Sequence, residues 1–215
     1  MINLTLTGAD ETVDVDMLRE MRFLEPENLE FGILVSWDTA RPRYPRYPWI
    51  ARAIQALPYK CALHICGGNA RKFLLRGDYD EEVRHASRVQ LNGPILYDDF
   101  ITLSERLHGV TFVTQYVYTE QKLLDADLPF HEILMDTSGG RGISPSGWWA
   151  PFTSKRVGFV GGLGAHNLVE QLPKIKTVAG LNWWIDMESS LMGEDGHFSI
   201  EKAKAVINIC KEYKA

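Results

Sequence analysis

Cysteine is scarce: Cys61, Cys66 and Cys210 are the only three in 215 residues. An odd number in a chain of this length makes no disulfide framework, and the spacing fits no zinc-binding pattern, so reduced thiols and no metal site are expected. Long hydrophobic runs are missing as well. No stretch approaches the roughly 20 apolar residues that a membrane span needs, and the start, Met1-Ile-Asn-Leu-Thr5, lacks the basic, apolar and small-residue order of a secretion signal. A cytoplasmic protein with no membrane partner is the expectation. Positive charge is not clustered: 23 Lys and Arg stand against 28 Asp and Glu, for a net charge of -5. A nucleic-acid surface, which sets grouped cations against phosphates, is therefore not expected. A glycine fingerprint after the first apolar run is also absent, since Thr7-Gly8-Ala9-Asp10 supplies one glycine. That argues against an open, doubly wound dinucleotide sheet, and no cofactor is expected.

What the chain does have is a repeated alternation of short apolar runs with amphipathic stretches, the pattern of βα units and a parallel sheet. Strands are predicted over Ile2–Thr7, Gly32–Ser36, Cys61–Ile65, Arg88–Leu91, Thr111–Tyr118, Ile133–Asp136, Val157–Val160 and Trp183–Met187. Helices are predicted over Val13–Met21, Pro48–Leu57, Ala70–Leu75, Asp98–Leu107, Thr119–Ala126, Asn167–Leu172 and Ile200–Tyr213, with a weaker helical pattern between Asp136 and Arg156. Eight units in this length fit one (β/α)8 TIM barrel spanning residues 1–215, of the phosphate-binding type. Trp183 and Trp184 are both expected between the barrel and its helices.

In such a barrel the chemistry sits on the loops after the strands. The strand ends offer Thr7 and Asp10, His64 and Cys66, Asn92, Asp136, and the run Asp186-Met-Glu-Ser-Ser190. Two neighbouring loops are rich in glycine: Asp136-Thr-Ser-Gly-Gly-Arg-Gly-Ile143 and Val160-Gly-Gly-Leu-Gly-Ala-His-Asn167. Free backbone N–H groups there, at the start of a helical stretch, suit a phosphate. Gly140, Gly161, Gly162 and Gly164, with Ser189 and Ser190, are the candidate phosphate ligands.

Four segments, taken in order, resemble phosphoribosylanthranilate isomerase, the barrel enzyme of tryptophan biosynthesis. Arg88-Val-Gln-Leu-Asn-Gly93 resembles that family's V-Q-L-H-G. Ile133-Leu-Met-Asp-Thr-Ser-Gly-Gly-Arg-Gly142 followed by Trp148 or Trp149 resembles L-L-D-(S/T)…G-G-T-G…W. Val160-Gly-Gly-Leu-Gly-Ala-His-Asn-Leu168 is similar to A-G-G-L-x-P-E-N-V, and Ile185-Asp-Met-Glu-Ser-Ser190 to V-D-V-S-S-G. The resemblance implies a cofactor-free Amadori rearrangement, in which the aminofuranose ring of an N-(5-phosphoribosyl) amine opens and an aldose skeleton becomes a ketose. An acid must protonate the ring oxygen and a base must take the C2 proton. The resemblance gives the acid role to Asp136, contacts with substrate to Gln90 and Asn92, and the hold on a substrate carboxylate to Arg43 in Arg43-Tyr44, with Arg46-Tyr47 as competitor. A guanidinium suits that role because it can grip a carboxylate bidentately.

The family's K-(I/V)-C-G at the end of strand one is Thr5-Leu6-Thr7-Gly8 here. Thr7 thus stands where the family has its cysteine, and an aliphatic hydroxyl does not ionise where a thiol does. The base is then open among Cys66, His64 and Asp10. Two other functions stay open beside the isomerase: a non-catalytic or repurposed phosphosugar-binding barrel, and another phosphosugar isomerase or epimerase pairing Asp136 with Asp10 or Glu188. Each expects a small phosphorylated sugar as partner.

Overall fold

Consecutive side chains of a strand point to opposite faces, and one face of every apolar run in this chain is made of large aliphatic and aromatic residues. A sheet with such a face must cover it with helices, and a parallel sheet of eight strands does so most completely by closing. The computed structural model describes residues 2–24, 29–136 and 141–213. Its strands are β1 (Asn3–Thr7), β2 (Leu29–Ser36), β3 (Cys61–Cys66), β4 (Arg88–Asn92), β5 (Phe112–Gln115), β6 (His131–Asp136), β7 (Val157–Val160) and β8 (Trp184–Met187). They form a closed barrel in chain order, every neighbouring pair parallel, with β8 pairing back onto β1. The fold is the (β/α)8 barrel expected from the alternation.

Around it lie α1 (Val15–Leu24), α2 (Tyr47–Ala56), α3 (Gly67–Arg76), α4 (Asp80–His85), α5 (Tyr97–Arg106), α6 (Gln121–Asp125), α7 (Leu168–Val178) and α8 (Ile200–Glu212). None of the described helices is long and apolar enough to cross a membrane. The outward strand residues, among them Leu4, Leu6, Phe31, Ile33, Ile65, Val89, Phe159 and Ile185, join the buried helix faces in the main core.

The structure departs from the sequence reading in several places. The fifth strand stops at Gln115 instead of Tyr118: residues Tyr116–Tyr118 turn into a 3-10 helix, and the Thr119 hydroxyl donates back to the Gln115 carbonyl at 2.8 Å. Alternation alone could not see that the chain leaves the barrel there. Helix α4 was not expected, because its six residues, mostly charged, bury only Glu82 and Val83 and leave no apolar stripe. Helix α7 continues past Leu172 through Pro173 to Val178. Proline removes the N–H that would bond to the carbonyl of Val169, a residue on the exposed side of the helix, so the break expected there does not occur. Between β6 and β7 the described residues 141–156 form no helix.

A correction also applies to the tryptophans. Trp183 packs outward, edge-on to Phe159 with ring centroids 6.2 Å apart, but Trp184 lies inside the barrel with Val113 and Leu134. Adjacent residues of a strand take opposite faces, so the pair could not share one side. A Cβ added at Gly158 would sit 2.1 Å from the Trp184 ring, which is why β7 carries glycine at that level. Below the indole, at the N-terminal end of the barrel, the buried Arg88 guanidinium lies 4.1 Å from the ring centroid. It donates to Glu30 at 2.7 Å and Glu132 at 2.7 Å. Burial pushes the Glu30 carboxyl up, but Arg88 and hydrogen bonds from Ser87 and Thr5 hold it below its ordinary value.

Filling the Gly158 position should strain this interior. Gly158→Ala is expected to lower stability by about 1–3 kcal/mol, the usual cost of overpacking, as a reduced urea midpoint. Trp184→Phe in the same chain should recover part of that loss. A neutral Gly158→Ala would contradict the placement of Trp184.

Candidate active site at the barrel mouth

The C-terminal ends of the strands surround a cavity lined by Gln90, Asn92, Gln115, Leu134, Asp136, Gly142, Val160, Gly161, Gly162, Leu163, Asp186, Met187, Glu188, Ser189 and Ser190. It brings together most of the residues singled out in the sequence: Asp136, Gln90, Asn92, Gly161, Gly162, Ser189 and Ser190. Gly164 is set back. Its N–H donates to the Asn167 side chain at 3.0 Å, and its Cα packs so closely on Ser190 that an added Cβ would lie 2.6 Å from the serine Cβ. Gly140 falls outside the described residues. Gly142, from the loop after β6, joins the lining although the sequence reading passed over it.

Asp136 ends β6 and is buried, its Oδ2 accepting a hydrogen bond from Gln115 Nε2 at 3.2 Å. The same glutamine accepts from the Gly93 N–H at 2.8 Å, which fixes its amide between two strand ends. On the neighbouring wall, Gln90 Nε2 donates to Asn92 Oδ1 at 2.8 Å and Asn92 Nδ2 donates to Cys66 Sγ at 3.2 Å. The glycine loops approach each other closely, and the Ser144 hydroxyl donates across to the Gly162 carbonyl at 3.3 Å. A Cβ at Gly162, whose φ is +56°, would meet the Ser144 backbone nitrogen at 2.6 Å.

Thr7 does not stand alone. Its hydroxyl donates to Asp186 Oδ1 at 2.6 Å, with both groups buried. Thr7 sits on β1 and Asp186 on β8, the two strands that close the barrel. Room for the hydroxyl comes from Gly32, opposite Thr7 on β2, where an added Cβ would lie 2.0 Å from Thr7 Oγ1. Among the described residues Asp186 Oδ2 has no hydrogen-bond partner, and the residue lines the cavity. Burial pushes the Asp186 carboxyl up to about 7, against the lowering effect of the Thr7 hydrogen bond and helped by the nearby Glu188. The sequence offers Asp186 among the strand-end residues, as an acid closing the apolar run Trp184-Ile-Asp-Met187, without marking it as a candidate base.

The other candidate bases fare differently. Burial pushes His64 down to about 3 and the Cys66 thiol up to about 11. The first is therefore neutral and weakly basic, and the second un-ionised, at neutral pH. Asp10 is buried away from the cavity lining. One oxygen accepts from Thr12, through N–H at 2.9 Å and hydroxyl at 2.6 Å, and the other from the Phe198 N–H at 3.0 Å. It ties the β1–α1 turn to the loop before α8. The two arginines also separate. Arg46 pairs with Glu11 at the exposed surface, whereas Arg43 Nη1 reaches Glu188 Oε1 at 2.7 Å on the rim of the cavity. Among the described residues no three His, Cys, Asp or Glu side chains gather to hold a metal ion.

No family model and no curated protein matches the chain. Among solved structures it is similar to phosphoribosylanthranilate isomerase from Thermus thermophilus, with a TM-score of 0.69 and 16% identity over 99% of this chain and 100% of that one. It is similar to TrpF from Jonesia denitrificans, with a TM-score of 0.68 and 15% identity over 98% and 97% of the chains. A third similar structure is a phosphoribosylanthranilate isomerase in complex with reduced 1-(o-carboxyphenylamino)-1-deoxyribulose 5-phosphate, with a TM-score of 0.65 and 15% identity over 99% and 100%. The chain has the fold of these isomerases. At this identity the likeness is one of architecture, and chemistry has to be argued from the side chains at the mouth.

Asp186 gives that argument a handle. The folded chain holds the Asp186 proton more tightly than the unfolded chain, whose carboxyl titrates near 3.8. The fold therefore loses stability as pH rises from about 4 through 7, by on the order of 2–4 kcal/mol in full. Asp186→Asn should remove that cost. Its urea midpoint should match the wild type near pH 4 and exceed it at pH 8; an equal difference at both pH values would contradict the assignment.

Proposed function

We propose that this barrel is a phosphosugar isomerase that converts an N-(5-phosphoribosyl) amine from aldose to ketose by an Amadori rearrangement, as phosphoribosylanthranilate isomerases do. The observation that carries the reading is the pair Asp136 and Asp186, two buried carboxyl groups that line one cavity beside a glycine-rich rim. A rearrangement that needs one group to give a proton and another to take one needs such a pair. The likeness in fold to the isomerases supports the same reading.

In the proposed mechanism the phosphate rests against the backbone of Gly142, Gly161 and Gly162 and the hydroxyl of Ser189, where glycine lets N–H groups approach an anion unobstructed, while the Ser190 hydroxyl is spent on the Leu163 carbonyl at 2.6 Å. Asp136 gives a proton to the ring oxygen, and the C1–O bond breaks to leave an iminium between C1 and nitrogen. Asp186 Oδ2 then takes the C2 proton, and the electron pair of that C–H bond flows toward the iminium to give an enolamine. Return of a proton to C1 and loss of the enol proton from O2 yield the ketone. Thr7 acts as a positioning residue: it occupies Oδ1 of Asp186 and leaves Oδ2 toward the cavity. The protein is proposed to work in the cytoplasm on a small phosphorylated sugar, without cofactor.

The test uses N-(5-phosphoribosyl) amines generated freshly from ribose 5-phosphate with anthranilate and with 2-aminobenzamide. Purified protein should consume at least one of them, followed by loss of fluorescence. Asp136→Asn should lower kcat/KM by at least about 100-fold, the lower range for a positioned acid, while its unfolding midpoint stays near the wild type. No turnover of either amine at high enzyme concentration would refute the reading. Stabilisation by ribose 5-phosphate without turnover, about 2.7 kcal/mol at a hundredfold excess over Kd, would instead assign a binding barrel, the alternative that the hydroxyl at position 7 favours.

A further inference from the structure

The described lining of the mouth cavity carries three carboxyl groups, Asp136, Asp186 and Glu188, and no cationic side chain. A cation on its rim, Arg43, is already engaged. Arg43 Nη1 donates to Glu188 Oε1 at 2.7 Å, Nη2 reaches the Tyr44 hydroxyl at 3.4 Å, and the guanidinium lies 5.2 Å from the centroid of the Tyr44 ring. Both members of the ion pair are about two-thirds covered, at 34% and 29% exposure. The carboxylate that an arginine on this loop would take from a substrate is thus supplied by the chain itself. Glu188 stands where the resembling motif V-D-V-S-S-G has its first serine, so the pair is a feature of this sequence.

A substrate carboxylate arriving here would have two choices, and both are unfavourable. It could displace Glu188, leaving that carboxylate partly buried beside Asp136 with no counter-charge. Otherwise it would lie without a counter-charge in a partly buried site, beside the carboxyl groups of Asp136 and Asp186. An uncharged group meets neither penalty and can hydrogen-bond to the rim. Such discrimination works against the wrong ligand as much as for the right one.

We infer that Glu188, by occupying Arg43, sets the specificity of the mouth for phosphoribosyl amines whose aglycon carries no negative charge. The inference rests on the function proposed above and names the substrate class of that same site. The probes are two stable, reduced ketose-type adducts of ribulose 5-phosphate, one bearing a 2-carboxyphenylamino group and one the isosteric 2-carboxamidophenylamino group, titrated calorimetrically so that turnover is not needed. The wild type should bind the carboxamide at least about tenfold more tightly. Glu188→Gln frees Arg43 and should reverse or erase that ratio by strengthening the carboxylate adduct. Arg43→Met added to Glu188→Gln gives an independent check: it should remove the gain of the carboxylate adduct, whereas a gain that survives in the double variant would come from loss of the Glu188 charge alone and would overturn the role given to Arg43. Equal or tighter binding of the carboxylate adduct by the wild type overturns the inference and leaves the proposed function intact. Failure to bind either adduct overturns both.

Discussion

The seam where the barrel closes carries the hydrogen bond on which the proposed chemistry depends. Thr7, at the end of the first strand, donates to Asp186 on the last, at 2.6 Å and out of contact with water. The bond exists because Gly32 leaves space beside Thr7 and because β1 pairs with β8 so that Asp186 lies in register with Thr5, one inward-facing position before Thr7. A hydroxyl at this position cannot serve as the base that a thiol can. It can orient a neighbouring carboxylate, and burial makes that carboxylate a base suited to neutral pH. In the proposed mechanism the base therefore stands on the eighth strand and not at the end of the first.

Charge is layered along the barrel axis. At the N-terminal end Arg88 is held between Glu30 and Glu132, with Arg156 completing the cluster through Glu132 at 3.2 Å. Above it Trp184, Val113 and Leu134 form an apolar plug. The mouth above the plug is acidic. Removal of either partner from a buried ion pair leaves an uncompensated charge, so the lower cluster is a demanding structure that fixes the lower ends of four strands. The mouth above the plug is of uneven character, with carboxyl groups on one side and glycine backbone and serine side chains on the other. A net charge of -5 is compatible with an anionic ligand on these terms, because backbone N–H groups at one edge can take a phosphate.

The barrel was legible in the sequence because parallel strands covered on both faces read as apolar runs, and eight of them were spaced for βα units. What escaped was set by contacts distant in the chain or by segments without an apolar stripe. Helix α4 has too little buried surface to show a period, and the end of β5 depends on where Gln115 meets Asp136. At the site, Asp136 and the glycines after β7 were visible as polar or small residues at strand ends. Asp186 was visible in the same way, but its meaning depends on a bond to a residue 179 positions away. The pairing of Arg43 with Glu188 spans 145 positions and exists only once the barrel has closed. Gly164 shows the converse: its loop looked like a phosphate cradle, yet its amide is satisfied by Asn167, three residues on.

The central claim is that Asp186, oriented by Thr7, takes the proton. The most direct measurement is the pH dependence of kcat/KM for Thr7→Val beside the wild type. The wild-type profile should rise with pH through an ionisation near 7. Removing the hydroxyl removes an interaction that favours the carboxylate, so the account predicts that this limb moves to higher pH in Thr7→Val. A limb unchanged by Thr7→Val, with activity intact, would contradict it.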